Sequence, residues 1–228
     1  MLVYTIKELC RTCYTCVREC PAKAIRIAGG QAEVITDRCI ACGNCTKVCS
    51  QGAKVFLNTI DRVIKLLQDE ENVAAIVAPS FPAEFLEFKD YRLFVGMIRA
   101  LGFKYVCEVS FGADIVADRY RQLISENREF YITSDCPSIV NYVRFYHPDL
   151  VDKLAPIVSP MVAMGRVIRK KYGEDIKIVF IGPCVAKKAE SNEINEALTF
   201  TELRDLFQMK GIKQGTSSLS DFDMPVGG

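Results

Sequence analysis

The chain has 228 residues, half of them hydrophobic, with 11 cysteines, one histidine and a formal net charge of +1 at pH 7. That length and apolar content suffice for a buried core without disulfides, and so small a net charge offers no electrostatic footprint for nucleic acid or an anionic membrane. The opening "MLVYTIKELC" lacks a signal-type apolar run, and no stretch approaches the ~18 apolar residues of a membrane span, so the chain reads as soluble, intracellular and cytoplasmic. In a reducing compartment an odd, high cysteine count points to metal ligation or redox chemistry rather than disulfides.

Cys10, Cys13, Cys16 and Cys20, followed by Pro21, form C-x2-C-x2-C-x3-C-P. Cys39, Cys42, Cys45 and Cys49 repeat the spacing 29 positions later, with Ser50 in place of the proline. Ala24 matches Ala53 and Ile27 matches Phe56, so the segment is an internal duplication. A C-x2-C-x2-C loop can wrap three corners of a cubane cluster, while the fourth cysteine, on a helical turn, points away. The run resembles that of bacterial two-cluster ferredoxins, in which each fourth cysteine ligates the other cluster. The resemblance implies two [4Fe-4S] clusters, one on Cys10, Cys13, Cys16 and Cys49, the other on Cys20, Cys39, Cys42 and Cys45. A structural zinc site is the competing reading, but zinc normally uses two C-x2-C pairs or Cys/His mixtures rather than a triplet plus a single, twice. Between the sets, "AIRIAGGQAEVI" alternates around Gly29-Gly30 as a hairpin does. This completes a ferredoxin-like α+β module over residues 1–57. Its eight Lys+Arg against four Asp+Glu offset the charge of about −4 expected for two oxidised clusters with their thiolates, and potentials above those of strongly acidic ferredoxins are expected.

Residues 58–228 read as a second domain. "TIDRVIKLLQDEEN" sets Ile60, Val63, Ile64 and Leu67 on one helical face, and "VAAIVAPS" is a short buried strand. There follow a long helix over about 82–101 closed by Gly102, a strand "KYVCEVS", a helix over about 112–126, a strand "EFYITSD" and a helix over about 137–146. A helix over about 160–172 stopped by Gly173, a strand "IKIVFIG" and a helix over 201–210 complete the series. Such alternation predicts an α/β domain with a largely parallel sheet, its ligands beyond the carboxyl ends of the strands. Cys136 and Cys184 are expected at two such strand ends, each beside a proline. Cys107 lies inside a strand and reads as core, and His147 reads as a helix-end residue rather than a ligand.

With these motifs the chain resembles the iron-only, or [FeFe], hydrogenase family, especially its sensory and hydrogenase-like members. A Thr-Ser-Cys-Cys-Pro signature is matched by Thr133, Ser134, Asp135, Cys136 and Pro137. A second, Met-Pro-Cys-x-Ala-Lys-Lys-x-Glu, is matched by Pro183, Cys184, Ala186, Lys187, Lys188 and Glu190, with Gly182 at the methionine position. The resemblance implies that Cys136 and Cys184 ligate a third cubane joined to a diiron centre and that Lys187 donates to a cyanide on that centre. No cysteine follows Cys184, so the third family motif, with the last two ligands, is absent. A complete hydrogen-activating centre therefore needs a longer parent protein. Asp135 stands where the family keeps a proton-relaying cysteine. It reads as a cap for the helix entered at Pro137, with a relay as the alternative should burial raise its carboxyl.

Three functions follow as expectations. The first is an iron–sulfur electron-transfer or redox- or hydrogen-sensing protein that carries two [4Fe-4S] clusters. The second is the amino-terminal portion or a subunit of an active hydrogenase, with Asp135 and Lys187 in the catalytic site. The third is a partner-binding scaffold with structural clusters. The partner implied is a redox protein or a further domain or subunit.

Overall fold

The computed structural model describes residues 1–126, 130–214 and 217–224. They fall into two compact units: Met1–Leu57 with Phe130–Pro156 and Cys184–Glu190, and Asn58–Glu129 with Ile157–Pro183 and Ser191–Gly228. Among the described residues no helix is long and apolar enough to cross a membrane.

The first unit displays the duplication in its backbone. Strand β1 (Val3–Thr5) is followed by a 3-10 turn at Lys7–Leu9 and a single helical turn, α1 (Thr15–Arg18). Strands β2 (Ile25–Ala28) and β3 (Gln31–Val34) form the expected hairpin. Its two-residue turn, Gly29-Gly30, has positive φ at both positions (57° and 75°), as a turn matched to strand twist requires. A 3-10 turn at Thr36–Arg38, the helical turn α2 (Asn44–Lys47) and β4 (Lys54–Phe56) repeat the opening pattern. β1 pairs antiparallel with β4, placing Thr5 opposite Lys54, and β2 with β3, placing Ile25 opposite Val34. These two cross-strand pairs are equivalents under the duplication. The small core, Val3, Ala24, Ile25, Ala32, Val34 and Ile40, also takes in Val185, with Tyr142 and Tyr146 against it.

The second unit is built on a four-stranded parallel sheet. Helix α3 (Ile60–Asp69) precedes β5 (Val73–Val77), and α4 (Phe81–Glu84) and α5 (Tyr91–Ala100) lead to β6 (Tyr105–Glu108). Helix α6 (Ser110–Glu126) follows; α7 (Pro137–Tyr146) belongs to the first unit; α8 (Pro160–Tyr172) leads to β7 (Lys177–Gly182); β8 (Glu196–Thr199) and α9 (Phe200–Met209) close the series. The sheet order is β6-β5-β7-β8, every pair parallel. The chain runs from β5 outward to β6 and then crosses back to β7 on the other side of β5, so the topological switch point lies between β5 and β7, the place where open α/β sheets present their ligand crevice. All five residues of β5 are buried, as expected of a strand covered on both faces.

Three expectations change. The helix read over 82–101 is two helices. Phe81 stacks on Phe94 with ring centroids 4.6 Å apart, and Phe85 lies 4.8 Å from the same ring. In one continuous helix residues 81 and 94 would be about 20 Å apart, so the aromatic cluster overrides helical continuity, and Asp90 restarts the chain by accepting Arg92 N–H at 2.9 Å. The strand read in "EFYITSD" is absent from the sheet; Glu129 lies outside the described residues, and the remainder makes only an isolated parallel bridge, Ile132 with Leu154. Phe130 is 64% exposed, so the apolar run never acquires a buried face. Finally β8, "EALT", escapes sequence reading because it is short and opens on Glu and Ala, both depleted in strands.

The buried polar residues Thr59, Thr199 and Glu202 of this unit satisfy one another, whereas Ser217 Oγ is buried without a partner. Glu202, 1% exposed, accepts from Thr59 N–H at 2.8 Å and Thr199 N–H at 2.7 Å, closing a capping box on α9. Thr59 Oγ1 in turn donates to Ala197 O at 2.5 Å. The polar segment 217–224 contains neither helix nor strand, yet Asp223 accepts from Val106 N–H at 2.7 Å and pairs with Arg99 at 2.7 Å, covering the open edge of β6.

Candidate metal centre

Six positions with positive φ recur in register with the duplication: Thr12 and Ala41, Tyr14 and Gly43, Lys23 and Gly52. Four of these are not glycine, and left-handed backbone costs such residues about 1 kcal/mol or more each. Thr12 and Tyr14 flank Cys13, while Ala41 and Gly43 flank Cys42. The middle cysteine of each triplet is thus held on a strained turn and is exposed, whereas Cys16, Cys20 and Cys45 are buried.

The turns gather the eight sulfurs into two groups. Cys10, Cys13, Cys16 and Cys49 line one small cavity. Cys20, Cys39, Cys42 and Cys45 line another. Ala32 N–H points at Cys10 Sγ from 3.5 Å, and Ala24 N–H at Cys20 Sγ from 3.2 Å. Four thiols per cavity with backbone donors aimed at sulfur fit a [4Fe-4S] cubane, whose ligands are thiolates tuned by such bonds. The Ala32 N–H holds the Cys10 thiol below the ordinary range, while burial raises Cys16 and Cys39 and pushes Cys45 up to about 11. Ligation must therefore displace protons from the inner cysteines. Among the described residues, no three His, Cys, Asp or Glu side chains gather closely enough for a single metal ion.

The remaining candidates also lie in the first unit. Cys136 is exposed and is the N-cap residue of α7; Cys184, half-buried, precedes a 3-10 turn at Val185–Ala189. Cys184 does follow a sheet strand, β7, but Cys136 does not, because residues 130–135 form no strand of the sheet. Lys187 Nζ donates to the Asp135 carbonyl at 2.9 Å and pairs with Glu190 at 2.6 Å, both side chains nearly buried. Asp135 Oδ1 is buried without a partner, and burial lifts its carboxyl above the ordinary range while Lys187 opposes the rise. The capping role expected of Asp135 is not seen, since α7 has no side-chain cap bond. Glu190 belongs to this cluster and was legible as the i+3 partner of Lys187. His147 is the C-cap of α7 beside Tyr142, and Cys107 is fully buried within β6, its thiol pushed up to about 12 by desolvation.

The segments carrying these residues touch the second cavity's surroundings. Tyr146 Oη donates to Ala22 O at 2.5 Å and Arg38 O at 3.0 Å. Val185 sits where a Cβ on Gly43 would meet it at 3.4 Å.

Residues 71–228 match the family model described as iron only hydrogenase large subunit, C-terminal domain, and residues 2–50 match the 4Fe-4S dicluster domain. The chain is 26% identical to the NADP-reducing hydrogenase subunit HndD of Solidesulfovibrio fructosivorans, over 83% of this chain and 38% of that protein. It is also 26% identical to the cytosolic Fe-S cluster assembly factor NAR1 of Candida dubliniensis, over 70% of this chain and 31% of the relative. Among solved structures, the [FeFe]-hydrogenase HydA1 from Chlamydomonas reinhardtii superposes with a TM-score of 0.63 at 22% identity, covering 75% of this chain and 52% of that one. That likeness is one of fold. The chain spans well under two thirds of the length of each of these proteins.

Proposed function

We propose, from the premise that this chain belongs to the iron-only hydrogenase family, that it is an electron-transfer or redox-sensing protein whose first 57 residues hold two [4Fe-4S] clusters. The observation that carries this reading is the crossed partition of eight cysteines, three from one repeat and one from the other, around each of two cavities. Such clusters, when bound, exchange one electron each. Cys10, Cys13, Cys16 and Cys49 supply the thiolates of one site, and Cys20, Cys39, Cys42 and Cys45 those of the other. The Ala24 and Ala32 N–H groups offset negative charge on sulfur. Reconstitution should give about eight irons per chain and a paramagnetic signal on reduction. Four irons or fewer, or clusters that resist reduction, would defeat the proposal.

A second reading, a portion or subunit of a hydrogen-activating enzyme, draws on the juxtaposition of Asp135, Lys187 and Glu190 near Cys184 in sequence. Here Cys136 and Cys184 are two ligands of a further centre, whose remaining ligands come from another domain or subunit. Lys187 supplies a nearly buried cation and Asp135 a carboxyl whose protonated form is favoured by burial. Infrared bands of carbonyl and cyanide in a longer, matured protein would support this reading. Their absence there would remove it.

A further inference from the structure

The duplication that builds the two cysteine cavities keeps their backbones alike and makes their walls unlike. Position by position, the first cavity carries Thr5, Arg11 and Lys54 where the second carries Val34, Ile40 and Ile25. Lys54 is the sharpest of these differences. It is 3% exposed and sits opposite Thr5 on paired strands, as Ile25 sits opposite Val34. Its ammonium is fixed by two acceptors, donating to Thr5 Oγ1 at 2.5 Å and to Ala32 O at 3.3 Å. Thr5 Oγ1 donates its own hydrogen bond to Ala32 O at 2.6 Å. Ala32 is also the residue whose N–H faces Cys10 Sγ. A cation thus lies in the wall of one four-thiol cavity, away from water, and its counterpart in the other wall is a hydrocarbon.

We infer that Lys54 sets the two cluster sites at different reduction potentials, making the Cys10, Cys13, Cys16 and Cys49 site the preferred seat of the first electron. A reduced cluster carries one more negative charge than an oxidised one, so a buried neighbouring cation stabilises the reduced form. Burial strengthens this, because solvent screening is weak there. The exchange is balanced within the module: the single electron lost at the Cys20, Cys39, Cys42 and Cys45 site is the electron gained at the other, and no proton moves. The electron then rests at the site walled by Lys54, while Tyr146 and Val185 contact the surroundings of the emptier one.

This rests on the two-cluster reading, so the test measures iron and potential separately. Potentiometric titration of the full chain, followed by paramagnetic resonance, should resolve two one-electron midpoints. Lys54→Ile should lower the upper midpoint by at least about tenfold in equilibrium constant, 59 mV for a one-electron couple, and the lower one by less, because the Lys54 charge also reaches Cys39 and Cys45; an equal fall in both would overturn the inference. Lys54→Arg should retain the separation. Ile25→Lys, which alters the other wall, should raise the lower midpoint and narrow the gap, so the inference remains testable should Lys54→Ile fail to fold. Unchanged midpoints in Lys54→Ile, or in Ile25→Lys, with about eight irons per chain would overturn the inference and leave the two-cluster reading intact. About four irons in the unsubstituted protein would overturn that reading, and this inference with it.

Discussion

Residues 1–57 and the parallel-sheet unit reach a folded state by opposite routes. The sheet unit buries Phe85, Phe94, Ile98, Ile168, Leu203 and Leu206 to below 2% exposure or close to it, and each such side chain contributes about 1.5–3 kcal/mol. The module buries no aromatic ring, relying on small residues and on buried cysteines, and it also holds four non-glycine residues in left-handed backbone. A chain segment of this size is marginal on apolar burial alone. The difference teaches that one unit is shaped by its core and the other by what its thiols bind.

The largest effect should come from removing iron. Chelation under reducing conditions should abolish amide-exchange protection in β1–β4 while β5 and β7 remain protected. Equal loss in both units would break the comparison. Next is Glu202→Ala, which strips a buried carboxylate from Thr59 and Thr199 and leaves their N–H groups without it. A cost of about 3 kcal/mol should appear as a lowered denaturation midpoint of the sheet unit, with cluster absorbance unchanged before that transition.

Gly96→Ala should follow. A Cβ at this position would lie 1.8 Å from the Ser218 carbonyl oxygen, so the segment over β6 must shift at a cost of about 1–3 kcal/mol, measurable by chemical denaturation. Smallest is Glu87→Gln. A hydrogen bond from Arg204 holds the Glu87 carboxyl below its ordinary range. Its contribution is therefore present above the unfolded value of about 4.3 and disappears as pH falls through the lower folded value. The substitution should cost about 0.2–1 kcal/mol at neutral pH and nothing in strong acid, as thermal melts across that range would show.

Much of this was legible in the residues, for identifiable reasons. Cysteine spacing is a local quantity, so the two repeats could be read directly, and the crossed partition followed from the resemblance to two-cluster ferredoxins. Short apolar runs predicted β5, β6 and β7 because strands covered on both faces have few polar residues. Pattern failed where distant contacts decide: the Phe81–Phe94 stack breaks a helix that periodicity joins, and an apolar run at 130–132 finds no sheet to enter. The Lys54 asymmetry was available in principle. Aligning the repeats sets a lysine against Ile25, but only the cross-strand pairing with Thr5 shows that this lysine points inward.

The first unit is assembled from three separated pieces of chain, 1–57, 130–156 and 184–190. Translation delivers them in that order. At about 5–20 residues per second, the eight repeat cysteines leave the ribosome roughly ten seconds before Cys184. The nascent protein therefore passes through an interval in which its two cysteine cradles are complete while the helix and turns that later flank them have yet to be synthesised. Metal delivery in that interval meets a simpler and more open target than the finished chain presents.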